Sequence, residues 1–390
     1  YFQGMKDMKP TALSQVVEQL GRVVVGLSLA FFLLRTLGEP IAAAGAVLGA
    51  GAGGVAALGF MFYFYSQRRR RETFPVTDQL GLEPESTGTI IKNVLKIAVP
   101  IAIGAAVMPM INMLDTAIVL RRLQATGYTY EQANSLYGQL QGMASTMVNL
   151  PQVVTIALAM SIVPAVSDAA ARDDWVSVRE DSASVFRVSM MLGLPASAGL
   201  VALAGPIMRM LFPAEPASLG QVMFIMGFAV LFLTQLQTLT GIIQGLGRPD
   251  IPVRNLMTGA LFKLVITYTL TATFLHVRGA AIGTVTAYFV AFFLNLRAVQ
   301  KMTGLKLDKT QMVYKPLLCV GVMAAVAYGL HRIMEPITGN TLAVLTAVTA
   351  GAVVYGIMLL KTNSLEARDF HMLPKGEKIA ALLRKFRLLQ

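Results

Sequence analysis

The stretch IAVPIAIGAAVMPMINMLDTAIV, residues 97–119, holds a single ionisable side chain, Asp115, among apolar and small residues. Coiled as a helix at about 1.5 Å per residue, it is long enough to cross the roughly 30 Å hydrocarbon core of a bilayer. A helix also satisfies its own backbone there, which an irregular segment cannot do. Working outward, about ten stretches of this kind emerge, near 14–36, 40–66, 92–119, 138–166, 182–212, 219–245, 252–275, 279–300, 315–334 and 340–361. The whole composition agrees: of 390 residues 55% are hydrophobic and only 14% charged, and the mean hydropathy is +0.61. Soluble domains carry about a quarter of their residues as charges. The expected fold class is therefore all-α, a polytopic transmembrane helix bundle. A soluble enzyme, a disordered chain and a nucleic-acid binder are excluded on the same numbers.

The net charge of +12 then describes loops. With the chain starting in the cytoplasm and alternating sides, most of the 33 basic residues fall inside. Only Arg35, Arg121, Arg122, Arg209, Arg278 and Arg332 fall outside, and Arg22 and Lys263 fall within spans. That bias predicts cytoplasmic ends for both termini of the chain. Residues 67–91, containing RRRRETFPVTDQLGLEPESTG, read as a polar linker rich in turn-formers. The tail KGEKIAALLRKFRLLQ (375–390) places Ile379, Leu382, Leu383 and Phe386 on one helical face, with basic residues elsewhere. It reads as an interfacial amphipathic helix on an anionic inner leaflet, with an ordinary cytoplasmic helix as the alternative. One cysteine, Cys319, and three scattered histidines exclude a disulfide framework and leave little for metal catalysis.

Sliding the chain by 241 residues lays Gln3-Gly4 on Gln244-Gly245 and Arg22 on Lys263, with Pro10 and Pro252 one residue out of step. Each Gln-Gly opens a short basic loop followed by a span with one cation. Transporters are often built from such repeats. Four spans precede the second Gln-Gly and none the first, so equivalent halves would leave the first lobe without its opening helices; a tag scar at YFQG is the competing expectation. The expected organisation is a remainder of a first lobe over 1–66, a linker over 67–91, a six-helix lobe over 92–300, a helix pair over 301–361 and a cytoplasmic tail over 362–390.

Three segments carry a family likeness: YFQGMKDMKPTALSQVVEQ (1–19), the 97–119 run, and YGQLQGMASTMVNLPQVVTIALAMSIVPAVSDA (137–169). They resemble the stage V sporulation protein B group of polysaccharide flippases, within the multidrug/oligosaccharidyl-lipid/polysaccharide superfamily and beside the MurJ-type lipid II flippases. The resemblance implies two six-helix lobes plus a terminal pair, with this chain lacking helices one to three and most of four. It implies a non-enzymatic, monomeric protein of the bacterial cytoplasmic membrane that moves a lipid-linked anionic sugar, such as a peptidoglycan precursor, by alternating access, without a cofactor and with Na+ or H+ coupling. A drug/cation antiporter is the alternative within the superfamily. A polyprenyl-phosphate transferase is the alternative outside it; the acids it would need are Asp168, Asp173, Asp174, Glu180 and Asp181, which alternate with Arg172 and Arg179 and read as a solvated loop.

Candidate site residues follow from the cost of charge inside a membrane. Lys263 lies about 16 Å up a helix from Pro252, near mid-membrane; it either holds the diphosphate of a substrate or forms a structural ion pair. Arg22 is its repeat partner, with Glu18 one turn earlier as an i,i+4 mate. Asp115, with Asn112 one turn before it, is where the resemblance implies a monovalent-cation site, with Asn255, Thr284 and Thr286 as available partners; pairing with Arg121 or Arg122 is the alternative. Gln141, Ser145, Asn149 and Gln152 form one polar stripe at helical spacing, and Thr234, Gln237, Gly241 and Gln244 a second. Either stripe suits a hydrated, sugar-binding cavity or interhelical hydrogen bonds.

Overall fold

Helices dominate because the chain offers long apolar runs with no polar partner for an open strand edge. The computed structural model describes residues 9–71, 86–305 and 310–362; the tail 375–390 and most of the linker lie outside them. Every regular element among the described residues is helical. The chain divides into two compact units, 1–94 and 95–390.

In the first unit, α1 (Lys9–Leu37) and α2 (Glu39–Arg71) form a hairpin that turns at Gly38, whose φ of 86° favours glycine. The two helices touch through glycines: a Cβ on Gly21 would lie 2.9 Å from the Gly53 Cα, and one on Gly49 would lie 2.7 Å from the Arg22 carbonyl oxygen. Small residues let membrane helices approach this closely. α2 runs on through Arg71, past the expected start of the linker, because arginine is a good helix former and a helix already under way extends at little cost.

The second unit takes in most of α3 (Thr87–Ala125) and continues with α4 (Tyr130–Gly138), a π-helical turn at Gln139–Ala144, α5 (Ser145–Ala171), α6 (Trp175–Ala202), α7 (Ala204–Leu211), α8 (Ser218–Gly245), α9 (Asp250–Leu270), α10 (Val277–Thr303) and α11 (Lys315–Lys361). Three expected spans change shape. The 182–212 run divides at Leu203 into α6 and α7, since the Pro206 ring cannot follow a helical carbonyl at Ala202. The run beginning at 138 starts earlier, with α4 capped by Thr129 and Gln132 in a reciprocal capping box. α9 stops at Leu270, five residues short of the expected end. α11 is two arms, 315–338 and 340–361, joined at Gly339 (φ 79°, ψ 166°), a conformation open to glycine. Across that joint His331 Nε2 bonds Asn340 Oδ1 (3.2 Å), and Asn340 Nδ2 donates to the Pro206 carbonyl (3.0 Å).

Seven of the described helices are long and apolar enough to cross a membrane. The expected ten spans are reached by adding the second arm of α11, α3, and α9, whose Asp250, Arg254 and Lys263 lower its hydropathy. α8 is the central post. Its first half, Leu219 to Leu233, joins one apolar cluster, and Leu239 to Ile243 joins another with α5, α6 and α11. Between them lies a buried polar belt: Thr238 Oγ1 donates to Ser189 Oγ (2.8 Å), Gln235 Nε2 donates to the same oxygen (3.2 Å), and Ser189 Oγ donates to the Thr234 carbonyl (3.3 Å).

Candidate functional site

α9 carries the cation that the repeat singles out. Its first turn is tied by Asp250, which pairs with Arg248 (3.1 Å) and Arg254 (3.0 Å). Farther along, Gly259 and Gly283 bring α9 and α10 together. A Cβ on Gly283 would lie 3.2 Å from the Lys263 carbonyl oxygen and 2.6 Å from Thr267 Oγ1. This repeats the first hairpin, where the Arg22 carbonyl meets Gly49. The likeness is in the contact and not in the register: in each hairpin the cation's own carbonyl rests against a glycine of the next helix, but Gly49 and Gly283 are not 241 residues apart.

The side chains of the two cations part company. Arg22 pairs with Glu18 (2.9 Å) and is half-exposed. Lys263 Nζ lies 2.8 Å from Asp115 Oδ2 on α3, with side-chain exposures of 12% and 2%. The second carboxylate oxygen, Asp115 Oδ1, has no hydrogen-bond partner among the described residues, and neither has Thr267 Oγ1 one turn beyond Lys263. Two ions in a low-dielectric interior gain from each other only at this close range, and either one left alone there would be costly.

Arg122, the sequence alternative for Asp115, goes elsewhere: its Nε donates to the Tyr268 carbonyl (3.0 Å) and its guanidinium stands 4.1 Å from that ring's centroid. α3 is thus pinned to α9 twice. It is pinned to α4 by the hydroxyls of Thr116 and Tyr137 (2.7 Å).

The other candidates have other partners. Asn255 Nδ2 donates to Asn295 Oδ1 (2.7 Å), and Asn295 Nδ2 donates to Thr240 Oγ1 (3.2 Å), tying α9, α10 and α8. Thr284 and Thr286 donate back to the carbonyls of Ala280 and Ile282 in their own helix. Asn112 is exposed, and its carbonyl accepts from Thr116. The ammonium of Lys263 stands at the carboxylate of Asp115, the expected partner of these residues.

In the first polar stripe, Gln141 and Asn149 are exposed within the unit, while Ser145 and Gln152 are half-buried. The π-turn explains the local pairing, since Ser145 Oγ reaches back five residues to the Leu140 carbonyl (2.9 Å). Carboxamides at this depth need water or protein against them. In the second stripe, Gln237 is half-buried, Gln244 is exposed and Thr234 is buried with its hydroxyl on the Leu231 carbonyl. Gly241 is a packing position, because a Cβ there would lie 2.7 Å from the Ala159 carbonyl oxygen. The acids expected on one solvated loop fall mostly on helices instead, because α5 and α6 are joined by only three residues: Asp168 lies in α5 and pairs with Arg172 (2.8 Å), Asp174 caps α6 through Ser177, and Glu180 and Asp181 lie within α6.

Sequence reasoning missed Asn295 and Ser189. A lone asparagine in an apolar span was signal enough for Asn295; Ser189 carries none, since serines are common in membrane helices.

Residues 9–348 match the family described as lipid II flippase MurJ. Among curated proteins of Bacillus subtilis (strain 168), the chain is 28% identical over 393 residues to "Uncharacterized membrane protein YabM", covering 98% of this chain and 72% of that one. It is 25% identical to "Stage V sporulation protein B" (96% and 71% covered) and 23% identical to "Lipid II flippase MurJ" (78% and 56% covered). A solved structure titled "Lipid II flippase MurJ, inward closed conformation" superposes with a TM-score of 0.59 at 14% identity, over 89% of this chain and 66% of that one, and so shares the fold. By the extent of the family match and the helical architecture, this membrane chain belongs to the lipid II flippase MurJ family.

Proposed function

We propose that the protein translocates a lipid-linked sugar of the peptidoglycan-precursor class across the cytoplasmic membrane by alternating access, with the Gln244–Gly245 end of the bundle facing the cytoplasm, as a monomer and without catalysis. The observation that carries the reading is the Lys263–Asp115 pair inside the spans. A diphosphate is the anion best able to compete with a carboxylate for an ammonium group. The substrate's headgroup takes Lys263, its sugar is met by the exposed amides of Gln141 and Asn149 with Gln152 and Gln237 beside them, and its polyprenyl tail stays in lipid. Arg22 serves the first repeat in the same capacity, released from Glu18.

Exchange of Lys263 from Asp115 to phosphate leaves the buried carboxylate without its counter-charge. Coupling to Na+ or H+ would supply direction by acting at this pair. An antiporter of cationic drugs wants an uncommitted carboxylate in the spans; Asp115 is committed to Lys263, which favours the anionic substrate.

The test is reconstitution of the full chain with fluorescent lipid II and measurement of headgroup accessibility from outside. Loss of translocation in a folded Lys263→Ala variant is expected. Unchanged translocation would remove Lys263 from the site.

A further inference from the structure

At the end of the second unit where α7 gives way to α8 and α9 turns into α10 lies a groove of about 800 Å³, distinct from the Lys263–Asp115 pair. Its walls are apolar: Val201, Phe224, Ile225 and Leu275, with the ring of Tyr328 from α11. Phe224 and Phe228 are 50% and 46% exposed and stack edge to face at 5.7 Å, so the apolar wall continues along α8 toward the bundle's middle.

The mouth of the groove is cationic. Arg278 lines it, half-buried, donating to Gln221 Oε1 (3.1 Å) and to the Phe274 carbonyl (3.3 Å), both neutral. No carboxylate pairs with Arg278 among the described residues. Arg332, outside the lining, donates to Tyr328 Oη (3.3 Å) and faces Glu335, so Arg278 is the cation the groove itself presents. α8 and α10 both begin here, and neither has a side-chain cap, so the positive ends of two helix dipoles add to Arg278.

A cationic head above an apolar trough is the complement of an anionic amphiphile. We infer that this groove binds an anionic phospholipid, its phosphate on Arg278 and one acyl chain along Phe224 and Phe228. On the orientation proposed above this is a lipid of the outer leaflet. A soluble anion would leave the trough unused, and a zwitterionic lipid would bring its own cation to the Arg278 guanidinium.

Brominated lipids test this in vesicles. The single tryptophan, Trp175, is replaced by phenylalanine, and Phe224→Trp places a reporter in the groove. Brominated phosphatidylglycerol should quench it several-fold more than brominated phosphatidylcholine at equal mole fraction, and an excess of inorganic phosphate should not relieve the difference. Arg278→Gln should abolish the preference and Arg278→Lys should retain part of it. Equal quenching by the two lipids, or a preference untouched by Arg278→Gln, overturns the proposal. If the reporter variant fails to fold, native mass spectrometry of the unmodified protein decides: retention of phosphatidylglycerol over phosphatidylcholine is expected, and equal retention counts against the site.

Discussion

Lys263 and Asp115, on helices far apart in the chain, meet at 2.8 Å with both side chains largely buried. Removing one partner leaves the other as an uncompensated charge. Lys263→Ala should therefore destabilise the protein by about 3–5 kcal/mol. The double variant Lys263→Met with Asp115→Leu should recover most of that loss, because apolar groups of similar volume need no counter-charge. Thermal unfolding in detergent checks both; a double variant no better than the single one would show that the pair is not the source of the stability.

The occupancy of Asp115 by Lys263 makes a separate claim. Replacing sodium by choline on both sides of the vesicle should leave translocation unchanged. A rate that follows the sodium gradient would contradict the reading of Lys263 as the resident cation of Asp115.

Glycine packing can be graded. Gly49→Ala presses on backbone, the Arg22 carbonyl at 2.7 Å, and should cost about 1–3 kcal/mol. Gly283→Ala meets first the Thr267 hydroxyl, a side chain able to rotate, and should cost less. Gly51→Ala has open space around it and should be neutral or stabilising by up to about 1 kcal/mol through helix propensity. Melting temperatures in any other order would refute this ranking.

Asn295 is fully buried and bonds both Asn255 and Thr240. Asn295→Ala should cost about 1 kcal/mol, the scale of interhelical polar contacts in membranes. With Asn255→Ala already in place the added cost should shrink, which a double-mutant cycle measures.

At the α5–α6 loop, the hydroxyl and amide of Ser177 hold the Asp174 carboxyl below its ordinary value of 3.8. A carboxyl lowered on folding stabilises above its unfolded value, and that contribution is lost as pH falls through the folded value. The difference in melting temperature between the parent and Asp174→Ala should be full at neutral pH and should close in acid below 3.8. A difference independent of pH would mean that the cap does not act through the charged carboxylate.

The amino-acid sequence by itself determined that this is an all-helical membrane protein and roughly where its spans lie. Those properties are local: a run of about 20 apolar residues must span, and its backbone must bond within itself. Even the pairing of Arg22 with Glu18 was legible, since residues four apart share a helix face. The tertiary structure decided the rest. That Lys263 takes Asp115, while Arg122 takes Tyr268, depends on how α3 and α9 are rotated about their axes. Hydropathy does not encode that rotation, because an apolar helix looks alike from every side. The break at Leu203 and the joint at Gly339 likewise wait on packing, since Pro206 and Gly339 permit a bend whose angle the neighbouring helices set.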